Sequence, residues 1–227
     1  MNSFDLAILR ILTAPANLWP AFDAWVSLLV IWELLKGGVV MAAFWWLWSR
    51  PDRGKESLRA RLLATLAGAA LALAAASMLA LVFPYRPRPR LAVGMDPNLS
   101  PGWDRWSAFP SDHASLFFAL ATGLFHIDRK LGYLAFAHAI VVVCLPRLYL
   151  GLHYPTDILA GAALGIAGAT VALRSARVHK FTVALDRWQA RNPSLALPGL
   201  FLVTYLIATL FTDLRKPASL VVSLLQH

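Results

Sequence analysis

The chain has little charge and almost no cysteine. Charged residues make up 15% of its 227 positions, whereas a soluble domain carries about a quarter. The deficit falls in blocks. "LLATLAGAALALAAASMLALVF" (62–83) contains no ionisable side chain at all. A soluble protein with a large core needs polar residues in every segment, so that class is excluded. The single cysteine, Cys144, rules out an intrachain disulfide and a thiolate metal cluster. The chain also lacks a carboxylate cluster of the kind that binds a divalent cation, so neither a metal nor another cofactor is expected. No 20–50-residue repeat and no low-complexity linker divides the sequence, so residues 1–227 read as one domain. The start, "MNSFDLAILRILTAPANLWP", has neither the basic opening nor the cleavage pattern of a signal peptide. It reads as a short helix at a membrane surface.

What is present is hydrophobic: 59% of residues, with a mean hydropathy of +0.60. A membrane-spanning helix needs roughly 20 mostly apolar residues. The blocks predict an all-α, polytopic bundle of about six spans. The first lies within 22–49, as a surface segment (22–34) turning at "KGG" into "VVMAAFWWLW". The others cover about 60–84, 112–127, 131–149, 156–173 and 197–212. The net charge of +9 does not imply nucleic acid, because Lys and Arg sit in the short connectors. "SRPDRGKESLRAR" (49–61) holds five, "DRK" (128–130) two, and "RSARVHKFTVALDRWQARN" (174–192) five. All three connectors fall on one side of a six-span topology, which the positive-inside rule makes cytoplasmic. Both termini, the 85–110 loop and the turn near 147–156 then face outward.

Three stretches on that outer side break the apolar pattern: "YRPRPR" (85–90), "FPSDHAS" (109–115) and "RLYLGLHYPTD" (147–157). Pro155 suits the first turn of a helix, which puts His153 just before it and Asp157 inside its first turn. A carboxylate there can hold one imidazole nitrogen and leave the other free to attack. Pro110 and Ser111 mark a second helix start, where a Ser cap, free amides and the helix dipole suit an anion. His113 lies in that first turn, placed to donate or accept a proton. Arg88 and Arg147 are forked donors matched to phosphate oxygens. His126, His138, His179 and His227 read as solvated or hydrogen-bonded side chains. Ionisable residues at membrane depth are costly and mark functional sites, so the Arg147, His153, Asp157 set carries the most weight.

In these residues the chain resembles the type 2 phosphatidic acid phosphatase superfamily of integral membrane lipid phosphatases. The family's second signature appears as Pro110-Ser111-Asp112-His113, and its third as Arg147, His153 and Asp157 with both spacings intact. The first is partial: Arg88-Pro89 matches its end, but Leu81 stands where the family has Lys. The likeness covers about 80–173. It implies that His153 is the nucleophile, that Asp157 orients and charges it, and that His113 protonates the leaving oxygen and then activates water. Arg88, Arg147 and Ser111 would hold the phosphate. Arg86 or Arg90 is expected to replace the missing Lys, with Arg86 favoured. Asp112 replaces a Gly, and a carboxylate beside an anionic substrate repels it unless paired or turned away.

The pattern is closest to bacterial undecaprenyl pyrophosphate phosphatases. It implies metal-independent hydrolysis of undecaprenyl pyrophosphate to the monophosphate through a phosphohistidine, at the outer face of a bacterial inner membrane, in cell-wall biogenesis. The alternatives are a phosphatase of phosphatidic acid, phosphatidylglycerophosphate or lipid A, and a non-enzymatic lipid or anion transporter. The partners implied are a phosphorylated lipid and the bilayer. Trp103 and Trp106, in the 91–108 loop, read as headgroup-level anchors or as a lid.

Overall fold

The computed structural model describes residues 2–16, 18–51, 57–92 and 106–212, and these form helices joined by short turns. Helix α1 spans Ser3–Thr13, α2 Pro20–Ile31 and α3 Val39–Trp48, with a π-helical turn, Leu34–Gly38, between the last two. Helix α4 is Leu58–Val82, α5 the single turn Pro89–Ala92, and α6 Asp112–Ile127. Helix α7 (Arg129–His138), a π-helical stretch (Ala139–Cys144) and α8 (Leu145–Tyr149) make one continuous run. Helices α9 (Pro155–Arg174), α10 (Ala176–Arg191) and α11 (Pro193–Ala208) follow.

Among the described residues, three helical runs are long and apolar enough to cross a membrane: Leu58–Val82, Arg129–Tyr149 and Pro155–Arg174. The pair Pro20–Ile31 and Leu34–Trp48 passes as one span broken by a 62° bend. That bend lies close to the "KGG" turn read from sequence. The expected third and sixth spans appear as 16-residue helices, α6 and α11. At 1.5 Å per residue each is about 24 Å long, short of the ~30 Å hydrocarbon layer. By length and composition, three runs and one bent pair among the described residues thus qualify as spans. Helix α6 packs against α4, α7 and α9.

Small residues make that packing possible. A Cβ on Gly161 would lie 2.4 Å from the Ser111 carbonyl oxygen, and one on Gly165 2.4 Å from that of Ser115. The α9 backbone thus lies directly on α6, as close helix contacts within membranes require. The main core forms where α3, α4 and α6 meet, around Phe44, Leu62, Leu66, Phe117 and Leu120.

Two segments differ from their sequence reading. The 174–192 connector is not a loop. Ser175 caps α10, and the helix lies against the start of α4, where the Ser57 hydroxyl donates to Asp186 at 2.6 Å. Its polar composition suits a helix lying on the bundle rather than within it. Helix α1 exists as expected, but it is docked through fully buried Asp5 and Leu9 rather than lying free on a surface. Trp106 is exposed. Trp103, His227 and the C-terminal segment from 213 lie outside the described residues.

Candidate active site

The three unusual stretches meet at one end of the bundle. Helices α6 and α9 both begin there, and α4 and α8 end there. The basic connectors lie at the opposite end, where Arg61, His126, Arg174 and His179 line a cleft. Backbone bonds knit the site. The Ser111 amide donates to the Asp157 carbonyl at 3.1 Å, and the Arg90 amide to the Gly151 carbonyl at 2.8 Å. Gly151 has φ +60°, a left-handed conformation that costs a side-chain-bearing residue about 1 kcal/mol or more. The turn it makes delivers His153 to the start of α9.

His153 is buried, and its Nδ1 lies 2.8 Å from the Ala108 carbonyl oxygen. A carbonyl only accepts, so Nδ1 carries the proton and Nε2 keeps its lone pair. The expected partner, Asp157, has its Oδ2 3.8 Å from that nitrogen, beyond hydrogen-bond range. The reason is local. Asp157 is the third residue of α9 and accepts the Tyr154 amide at 2.7 Å in a capping box. The tautomer is therefore set by the Ala108 backbone, and Asp157 contributes its charge.

Arg86, expected to face phosphate, is instead committed to carboxylates. Its Nη1 donates to Asp157 at 2.5 Å and to Thr156 Oγ1 at 2.9 Å, and its Nη2 donates to Asp5 at 2.7 Å. The guanidinium lies 4.1 Å above the Tyr154 ring. Two buried acids outbid open solvent for a half-buried cation. Asp5 also accepts the Thr156 amide at 2.9 Å and its hydroxyl at 2.8 Å. Sequence reasoning passed over Asp5 and Thr156; a lone acid in an apolar helix was the available signal.

Asp112 has a role as well. Its Oδ1 accepts the His113 amide at 2.8 Å and lies 2.7 Å from His113 Nδ1. That contact holds a proton on Nδ1 and leaves Nε2 free of the acid. The acid is thereby turned onto the neighbouring imidazole. Ser111 caps α6 through its Oγ, which accepts the Ala114 amide at 3.3 Å, leaving the hydroxyl proton available to a ligand. Arg88 is buried and donates to the Leu152 carbonyl at 2.7 Å. Arg147 is 1% exposed and donates from Nη1 to the Val143 carbonyl at 2.8 Å, while its buried Nη2 has no hydrogen-bond partner. Leu81, in the place of the family Lys, is 80% exposed. His126 and His138 hydrogen-bond the carbonyls of Thr122 and Leu35. No group of three metal-ligating side chains occurs among the described residues.

Known proteins are similar to this chain. A 63-residue stretch is 41% identical to the bacitracin transport permease protein BcrC of Bacillus licheniformis, covering 28% of this chain and 30% of that one. An 83-residue stretch is 32% identical to the putative undecaprenyl-diphosphatase YbjG of Escherichia coli (strain K12), covering 36% and 42%. The matched stretches thus span less than half of either relative. The crystal structure of Aquifex aeolicus LpxE shares the fold, with a TM-score of 0.53 at 24% identity over 77% of this chain and 97% of that one. Residues 60–180 match the PAP2 superfamily profile. That region is more than half of the chain and takes in both His113 and His153, so the chain belongs to the PAP2 superfamily.

Proposed function

We propose that this chain is an integral membrane lipid phosphatase that works through a phosphohistidine, and that its substrate is undecaprenyl pyrophosphate. The observation that carries the reading is the His153 tautomer. With Nδ1–H held by Ala108, Nε2 is the nucleophile. It attacks the terminal phosphorus, the P–O bond to the lipid phosphate breaks, and His113, entering as the imidazolium with Nδ1–H on Asp112, gives the leaving oxygen its Nε2 proton. His113 then takes a proton from water, the water oxygen attacks phosphorus, and the P–N bond breaks to release phosphate and restore His153. General acid–base work of this kind contributes ~100- to 10,000-fold.

Arg88, Arg147, the Ser111 hydroxyl and the first-turn amides of α6 stabilise the charge on the equatorial oxygens. The unpartnered Nη2 of Arg147 suits one of those oxygens. These fixed charges make the reaction independent of metal. The positive-inside rule puts the basic connectors in the cytoplasm and the site at the outer face of a bacterial inner membrane, where it returns the lipid carrier to cell-wall synthesis. The choice of a polyprenyl pyrophosphate rests on the "PSDH" pattern and on the name carried by YbjG.

The test is phosphate release by purified protein in detergent with a chelator present. Undecaprenyl pyrophosphate would be compared with phosphatidic acid, phosphatidylglycerophosphate and lipid A. Preference for one of the latter three overturns the substrate. His153→Ala and His113→Ala should each abolish release while remaining folded; undiminished turnover in either removes the mechanism. The name of BcrC raises a transport reading, and lipid or anion exchange without phosphate release would favour it.

A further inference from the structure

Lys36 is a cation without a role in the mechanism above. It lies in the π-helical turn Leu34–Gly38, just after the 62° break between Ile31 and Leu34. Its side chain is 2% exposed. An ammonium buried this deeply loses its hydration and persists only against fixed or bound negative charge. Among the described residues its ammonium has one hydrogen-bond partner, Glu33, at 3.0 Å. An ammonium carries three donors. Glu33 is itself one-third exposed, and its Oε2 is buried with no partner.

The position is held from two sides. The Leu35 carbonyl accepts from His138 Nε2 at 2.8 Å, and Gly37 lies against the Ala208 backbone so closely that a Cβ would come within 2.0 Å of its oxygen. The turn packs against the π-helical stretch Ala139–Cys144 that leads to Arg147. Arg147 lies within electrostatic reach of Lys36, Glu33, Asp112 and Arg88, and Lys36 is also among the charges acting on His113. Lys36 and Arg147 are thus two almost fully buried cations on elements that pack together. Among the described residues Arg147 Nη2 is buried with a donor that has no hydrogen-bond partner.

We infer that Lys36 is a phosphate-binding residue of this site, its ammonium closing on the same bound anion as the free edge of Arg147. The inference rests on the phosphatase reading. It gives the first span a direct part in substrate binding. It also supplies the third fixed cation that Leu81 and the carboxylate-bound Arg86 do not.

The experiment measures phosphate release from farnesyl pyrophosphate, and its competitive inhibition by inorganic phosphate. The proteins are wild type, Lys36→Met, Lys36→Arg and His153→Ala, all in detergent. Lys36→Met should raise both KM and the phosphate inhibition constant about tenfold or more, and Lys36→Arg should recover most of the loss. If Lys36→Met alone does not fold, the charge-balanced Glu33→Gln/Lys36→Met protein takes its place. An inhibition constant within twofold of wild type in the Met variant overturns the role of Lys36. Phosphate release that survives in His153→Ala refutes the phosphatase mechanism instead, so the two failures are separately visible.

Discussion

Asp5 ties the first helix to the site, and removing it should loosen that helix by a calculable amount. In Asp5→Ala, the Arg86 Nη2 and the Thr156 amide and hydroxyl lose their acceptor. Breaking one side of a buried ion pair costs ~3–5 kcal/mol. Arg86 keeps Asp157, and its side chain is 26% exposed, so water recovers part of that loss; ~2 kcal/mol, within the range for a hydrogen bond to a charged group, is the fitting figure. At 1.4 kcal/mol per decade, the docked state of α1 becomes about thirtyfold less favoured. The readout is deuterium uptake by peptides covering residues 3–13, in detergent. Uptake should accelerate about thirtyfold in Asp5→Ala and by less in Asp5→Asn, which keeps an oxygen for the Thr156 amide. Arg86→Met in the Asp5→Ala background should add little, because the two groups act as one unit. Uptake within twofold of wild type in Asp5→Ala would refute the docking role of this carboxylate.

Asp112→Gly removes the acceptor on His113 Nδ1. A hydrogen bond to a charged group is worth ~1.5–3 kcal/mol, so kcat for phosphate release should fall about 10- to 100-fold with KM little changed; an unchanged kcat contradicts the pairing. Gly165→Leu forces a side chain into the Ser115 carbonyl, where even a Cβ would sit 2.4 Å away. It should cost at least ~1–3 kcal/mol and show as a lowered Tm or loss of the monodisperse protein. Ser111→Ala loses the cap on α6, worth ~1 kcal/mol, together with a ligand donor. A modest fall in Tm with a larger fall in kcat/KM is expected, and a fall in Tm alone would leave Ser111 a structural cap.

Much of this protein follows from local order along the chain. The apolar blocks dictate helices wherever backbone polar groups must be satisfied away from water, and α4, the Arg129–Tyr149 run and α9 fall within two residues of their expected limits. Pro155 and Ser111 mark the helix starts that bring His153 and His113 to the same end, because caps and first-turn prolines are set by nearest neighbours. The sequence also pointed to Arg88, Arg147 and Asp157, and the fold brings all three to that end of the bundle. The partners were not legible. Asp157 turns to the Tyr154 amide and to Arg86, the Ala108 carbonyl takes His153, and Asp112 takes the neighbouring imidazole. Asp5 arrives from 151 residues away to meet Thr156, and Lys36 is buried just after the break in the first span. A hydrogen bond depends on a few tenths of an ångström and on direction, and a buried charge takes whichever opposite charge packing brings within reach. Those conditions arise only when the helices are in contact, so residue order alone does not contain them.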